Sequence, residues 1–253
     1  MTALVTGASS GIGRDIAREL AARGIRLVIS GRNKAALEEL RKEIGENRVK
    51  IITADLSDKK ECFRLYEEAK KYSPDILVNN AGFGLFGKFA DTDLDTELKM
   101  IDVNIKAVHI LAKLFLKDFR EKNSGYILNV ASAAGFMPGP YMATYYSTKN
   151  YIVRLTEALD RELKNEGSAV SVSAFCPGPV DTNFNSVAGV KFNLKGITSE
   201  YVAKYAVDGM FRRKTHIIPT IAMKAAAFGA GIFPPAFVSK VAGHMQSRKG
   251  DVK

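Results

Sequence analysis

The chain has 253 residues, 46% of them hydrophobic and 25% charged, proportions of an ordinary globular protein that can fill one large α/β domain. Its net charge of +10 is dispersed among matched acids, as in "RNKAALEELRKEIGENRVK" (32–50), which is the pattern of a solvated helix face, so no nucleic-acid partner is expected. Cys62 and Cys176 show neither metal-ligand nor disulfide spacing and read as buried packing residues of a reducing compartment.

Val- and Ile-rich runs alternate along the chain with amphipathic ones. "TALVT" (2–6) precedes a helical stretch at 11–23, "IRLVIS" (25–30) one at 33–45, and "RVKIITA" (48–54) one at 57–72. "DILVNN" (75–80) is followed by a helix over 95–121, and "GYILNVA" (125–131) by one over 144–166. "AVSVSAFC" (169–176) and "THIIP" (215–219) complete about seven strands. Near-continuous hydrophobicity suits parallel strands buried on both faces. The alternation therefore predicts an α/β, doubly wound, Rossmann-like parallel sheet flanked by helices, in a single domain over 1–253.

Two regions fall outside the alternation. Residues 177–199 are long for a connection and read as a functional substrate loop. Residues 219–253 form a C-terminal extension. The apolar segment 217–243 is interrupted by Pro219, Lys224, Pro234, Pro235 and Lys240 and reads poorly as a membrane span. A cover for the substrate pocket or a subunit contact is the favoured role of this tail, ahead of a membrane-surface contact. The opening "MTALVTG" has no basic n-region or long apolar run, so cytoplasmic residence is expected.

The first strand runs into "TGASSGIG" (6–13) and then a helix. A glycine-rich first turn lets backbone approach a pyrophosphate at a helix N-terminus, where free N–H groups and the macrodipole favour an anion. The spacing Gly7, Gly11, Gly13 differs from the common G-x-G-x-x-G fingerprint. After the second strand, the position that usually carries an acid for the ribose hydroxyls of NAD lies in "SGRN". Gly31 leaves room there and Arg32 offers a planar guanidinium suited to a phosphate, so NADP (NADPH) is the expected cofactor. The competing reading makes Arg32 the solvated start of the next helix.

"ATYYSTKN" (143–150) places Tyr145 four residues and Tyr146 three residues ahead of Lys149. A tyrosine with its usual pKa near 10 transfers protons poorly at neutral pH, and a nearby ammonium favours the phenolate. Residues four apart share a helix face. The same spacing recurs at Tyr66 and Lys70, which read as a solvated helix face, so spacing alone assigns nothing. Ser132 lies at the C-terminal end of its strand, the edge where such folds bind ligands. His109, in an apolar helix, reads as a packing residue.

These motifs occur in one order: "TGASSGIG", "NNAG" (79–82), Asn104 in "DVNIKAV", Ser132 in "NVASAAG", Tyr145 with Lys149, and "PGPVDT" (177–182). The set resembles the short-chain dehydrogenase/reductase family over roughly residues 2–218. The resemblance implies Tyr145 as proton donor, thirteen residues beyond Ser132, with Lys149 lowering its pKa and holding the nicotinamide ribose. Ser132 would steady the carbonyl oxygen, and Asn104 would hold a water linking Lys149 to solvent. The implied cofactor site comprises Gly7, Ser9, Ser10, Gly11, Ile12 and Gly13, then Arg32, Asn33, Asp55 and Leu56. Asn80, Ala81 and Gly82 follow, then Tyr145 and Lys149, and finally Pro177, Gly178, Val180 and Thr182. Thr182 would bind the carboxamide and Asp55 the adenine edge. No metal is required, because hydride comes from the cofactor.

The substrate lining, "GFGLFG" (82–87), "GFMPGPYM" (135–142) and Phe184, Val187, Val190, Phe192 and Leu194, is mostly apolar. The expected partner is therefore a small hydrophobic carbonyl compound or its alcohol. A homodimer or homotetramer follows from the resemblance alone. The alternative function is a non-enzymatic NADP(H) sensor, disfavoured because Asn104, Ser132, Tyr145 and Lys149 are all retained.

Overall fold

The computed structural model describes residues 1–182, 184, 188–189 and 197–247. Its strands are β1 (Thr2–Thr6), β2 (Arg26–Gly31), β3 (Val49–Thr53), β4 (Ile76–Asn79), β5 (Gly125–Val130), β6 (Val170–Phe175) and β7 (His216–Ile217). All pair in parallel in the order β3-β2-β1-β4-β5-β6-β7. The order reverses between β1 and β4, and a crevice opens there at the carboxyl ends of the strands.

Side chains alternate across each strand, and the two faces collect different partners. Ala3 and Val5 of β1 and Leu27 and Ile29 of β2 pack under α1 (Gly11–Ala22), α2 (Lys34–Ile44) and α7 (Ser199–Phe211). Leu4, Val28, Leu77 and Ile127 point the other way, onto α3 (Lys59–Lys70), α5 (Val108–Glu121) and the end of α6 (Ala143–Asn165). Burial on both faces accounts for the unbroken hydrophobicity of these strands.

The expected elements agree with the observed ones to within a few residues, with three differences. Residues 94–121 are helical throughout, as expected, but not uniformly α-helical. α4 (Leu94–Ile101) gives way to a π-helical turn, Asp102–Ala107, before α5 begins. Residues 199–211, for which no element was expected, form α7, capped by the Thr198 side chain accepting from the Tyr201 N–H at 3.4 Å. The seventh strand shrinks to two residues. Pro219, which lacks an N–H and cannot donate to a ladder, follows two residues after its end.

The tail folds into α8 (Ile221–Ile232) and α9 (Pro235–Ser247). Gly178 and Gly243 let these helices approach closely. A Cβ on Gly178 would lie 2.9 Å from the Met223 sulfur, and one on Gly243 3.3 Å from Pro140. No helix among the described residues is long and apolar enough to cross a membrane. Both cysteines are free and buried.

Candidate active site

A cleft of about 750 Å³ opens at the switch between β1 and β4 and runs beneath α8 and α9. The β1–α1 turn forms one end, with Gly7 and Gly11 in left-handed backbone conformations at φ +65° and +54°. A Cβ on Gly7 would meet Ala81 and Asn80 at 2.8 Å, and one on Gly13 would stand 2.2 Å from the Asn80 side chain. Asn80 locks the turn by donating from Nδ2 to the carbonyls of Thr6 and Gly7. The Thr6 hydroxyl in turn accepts from the N–H groups of Asn80 and Ala81. The Ser10 hydroxyl does not cap α1, and no acid occupies the helix's first turn. That end of the cleft presents uncapped amide donors, a fit for a diphosphate.

Beside the turn, Gly31 and Arg32 reach the cleft from β2, and Asp55 and Leu56 from the loop after β3. Arg32 is exposed and has no hydrogen-bond or ion-pair partner among the described residues. Asp55 accepts from the Ser57 N–H and hydroxyl, and the N–H bond holds its carboxyl below the usual range, with the Arg32 charge adding to that effect. Asn33 stands apart from this group. Its side-chain oxygen accepts from the Ala36 N–H at 3.1 Å and caps α2, and it does not line the cleft.

At the other end, β5 delivers Ser132, and the first two turns of α6 deliver Tyr145 and Lys149. A buried polar chain sets the register of α6. Asn79 donates to Asn129 at 2.9 Å, Asn129 donates to Thr156 at 3.0 Å, and Thr156 donates to the Ile152 carbonyl at 2.8 Å. The Lys149 ammonium lies 5.8 Å from the Tyr145 ring centroid and donates to the Val130 carbonyl at 2.9 Å. Burial lowers its pKa from 10.5 to about 8. The resemblance implies that Lys149 lowers the Tyr145 pKa, but here burial raises the phenol above its ordinary value, and the group that opposes the rise is Ser132, through a hydrogen bond. The Cys176 thiol, buried near Lys149, is pushed up to about 12.

Asn104 projects from the π-helical turn and is buried behind the cleft wall. Its Oδ1 accepts from the Phe83 N–H at 3.1 Å, and its Nδ2 donates to the Phe83 carbonyl at 2.9 Å and to the Thr148 hydroxyl at 3.1 Å. Gly82 must stay bare, because a Cβ there would fall 2.9 Å from Asn104 Oδ1 and 3.5 Å from Lys149 Nζ. The Ser9 to Gly13 backbone, Ala81, Pro177, Gly178, Val180 and Thr182 complete the shared wall. Thr182 stands 3.3 Å from where a Gly11 side chain would begin, so the two walls approach closely there.

The space in front of Tyr145 is apolar. Phe184 packs on Tyr145 with ring centroids 5.3 Å apart, and Met142, Met223, Phe233, Phe237 and Val241 surround it. Val187, Val190, Phe192 and Leu194 of the expected substrate loop lie outside the described residues. α8 and α9 belong to the tail for which a pocket cover or a subunit contact is expected, and they supply Met223, Phe233, Phe237 and Val241 to this lining.

Two secondary readings need correction. Tyr66 is buried, not solvated. Its hydroxyl donates to Asp118 at 2.8 Å and accepts from Lys70 at 3.0 Å, against α5 and away from the cleft. His109 is exposed, with Nδ1 paired to the Tyr151 hydroxyl at 2.7 Å, so it is a surface residue and not a packing one.

Residues 1–191 match the family model for short chain dehydrogenases. An uncharacterized oxidoreductase of Staphylococcus aureus is 37% identical over 182 residues, covering 71% of this chain and 78% of its own. A short-chain dehydrogenase from Sphingobium yanoikuyae in complex with NADPH superposes with a TM-score of 0.83 at 29% identity, covering 91% of this chain and 93% of its own. A short chain dehydrogenase/reductase from Burkholderia phymatum in complex with NAD reaches 0.82 at 25% identity, covering 90% and 91%.

Proposed function

The chain belongs to the short-chain dehydrogenase family and is an NAD(P)-dependent oxidoreductase, and from that premise we propose that it uses NADP(H) to interconvert a hydrophobic carbonyl compound and its alcohol. The observation that carries the reading is the meeting of a buried phenol, a buried ammonium and a serine hydroxyl where an apolar cavity joins a glycine-lined cradle. When bound, the nicotinamide supplies the hydride that reaches the carbonyl carbon.

This chain's own residues handle the oxygen and the proton. Ser132 donates a hydrogen bond to the carbonyl oxygen, and Tyr145 gives it a proton. With its pKa raised, the Tyr145 phenol stays protonated at neutral pH, the state a proton donor needs. Lys149 remains mostly cationic at pH 7 with a pKa of about 8, and its charge stabilises the phenolate left by the transfer. Proton return to Tyr145 comes from solvent, and Asn104, adjoining Lys149, is the residue suited to hold a water on that path.

Arg32 supports NADP over NAD. It is an unpaired guanidinium at the end of β2, beside Gly31, where an acid would repel a phosphate. The exposed Leu94, Leu98 and Ile101 of α4 suit a subunit contact in a homodimer or homotetramer. NADPH consumption with a panel of apolar ketones and aldehydes tests the central reading. Tyr145→Phe should abolish turnover while leaving NADPH affinity within about threefold, and turnover by that variant at the wild-type rate would overturn the assignment.

A further inference from the structure

Tyr146 turns its ring away from the proton-transfer group and into the apolar half of the cleft, with its centroid 6.1 Å from that of Tyr145. The ring lies against bare backbone, since a Cβ on Gly139 would stand 2.2 Å from it. From the far side, α9 brings Gln246, a hundred residues on, to the same spot. Gln246 Nε2 donates to the Tyr146 hydroxyl. Gln246 is 3% exposed and lines the cleft, yet its Oε1 has no hydrogen-bond partner among the described residues. Met142, Phe237, Val241 and Met245 around the pair offer no polar partner.

A buried amide oxygen without a donor is costly unless something occupies the cavity and satisfies it. Tyr146 adds the complementary valence. Its oxygen already accepts from Gln246, so its own O–H proton is free to donate. Together the two side chains hold one donor and one acceptor, side by side, at an otherwise apolar wall. The Gln246 oxygen is shielded from the open cleft and meets an occupant as its amide turns towards it. A hydroxyl group is both acceptor and donor and satisfies both at once.

We propose that Tyr146 and Gln246 form a specificity site for a substrate hydroxyl, so that the preferred substrate is a bulky apolar carbonyl compound carrying a second oxygen, as an alcohol or phenol, away from the reacting carbon. The inference rests on the carbonyl-reductase reading and deepens it. Recognition of this kind discriminates strongly, because a substrate lacking the hydroxyl leaves the buried amide unpaired. It also gives α9 a defined task, as the only described element that supplies an amide side chain to this wall.

The test uses the full-length protein with NADPH and two matched ketone pairs. One pair is benzylacetone against para-hydroxybenzylacetone, and the other is cyclohexanone against the ring ketone hydroxylated opposite its carbonyl. In the wild type, kcat/KM should favour the hydroxylated member of at least one pair by about tenfold, the contribution of one well-made hydrogen bond. Gln246→Met and Tyr146→Phe should each bring that ratio close to one, while Phe228→Ser, on the solvent side of α8, should leave it unchanged. Affinities of the same compounds for the NADPH-loaded protein, by calorimetry, give the ratio without turnover. Unfolding midpoints within a few degrees of wild type show that the variants are folded. Equal preference within both pairs in the wild type, by rate and by binding, overturns the specificity site, as does a preference that survives both substitutions. Reduction of the unhydroxylated ketones in that case leaves the carbonyl-reductase reading standing. Absence of any NADPH oxidation with all four ketones counts against that reading, and the binding ratio then decides the specificity site by itself.

Discussion

Replacing Lys149 with methionine should make the protein more stable near pH 7 while destroying its activity. The ammonium is buried, and its pKa falls from 10.5 to about 8. At about 1.4 kcal/mol per pH unit, the gap means that holding the charged amine inside costs the folded state about 3 kcal/mol. Methionine has a similar length and no charge, so it relieves that cost. It leaves the Val130 carbonyl without its donor, a loss of about 1 kcal/mol. The net expectation is a gain of about 2 kcal/mol at pH 7. The sign against pH follows from proton binding. Between pH 8 and 10.5 the unfolded chain keeps the Lys149 proton and the folded chain has released it, so wild-type stability rises across that window relative to the variant. The Tyr145 and Cys176 pKa values, both raised, lower stability above pH 9 to 10, but they act in both proteins and largely cancel in the difference. The chain has no tryptophan, so urea unfolding should be followed by far-UV circular dichroism from pH 6 to 10 at fixed protein concentration. The variant's advantage should be greatest at pH 6 to 7 and vanish towards pH 10. A variant less stable than wild type at pH 7, with a parallel pH curve, would refute the claim that the buried charge is a stability cost accepted for function.

NADPH affinity should weaken about tenfold between pH 7 and 9 as Lys149 loses its proton at about 8. Fluorescence titration of NADPH reads this, and a pH-independent affinity would place the ammonium away from the cofactor. Arg32→Asp should shift the ratio of kcat/KM for NADPH over NADH by on the order of 100-fold towards NADH; an unchanged ratio would make Arg32 incidental. Gly13→Ala places a methyl 2.2 Å from Asn80 Nδ2 and 2.5 Å from the Gly7 carbonyl, so cofactor binding should fall below detection in calorimetry while the far-UV spectrum is preserved. Thr156→Val leaves an Asn129 N–H without its acceptor and should cost about 1–3 kcal/mol in urea unfolding. It should lower kcat as well, because the same chain of bonds holds α6.

The legible parts of the molecule share a physical cause. Strands β1, β2, β4 and β5 are buried on both faces, so burial wrote itself into runs rich in Val, Ile and Leu. The glycine turn was visible because its backbone tolerates no Cβ at Gly7 and Gly13, and such positions admit only one residue type. Features set by a distant partner were not visible. The π-helical turn at Asn104 depends on a change of hydrogen-bond step that no residue type announces. α7 packs on α1 through Ala203 and Ala206, and alanines so placed make a weak amphipathic pattern. Tyr66 looked solvated because the sequence does not reveal that Asp118, fifty-two residues away, receives its hydroxyl.

The two adjacent tyrosines show most directly how register makes function. Residues 145 and 146 are chemically identical, and either lies within a helical turn of Lys149. Successive positions on a helix differ by about 100°, so only one can face Ser132. The Asn79–Asn129–Thr156 chain fixes α6 three turns further along and so decides which one. The rotation that gives Tyr145 the serine and the ammonium turns Tyr146 towards the wall that α9 completes with Gln246. A slip of one residue would exchange a buried acid poised beside a cation for a phenol hydrogen-bonded to an amide. The proposed sorting of the pair into proton donor and specificity residue is therefore set by Thr156, three turns along α6, and a substitution in that chain should disturb both proposed roles together.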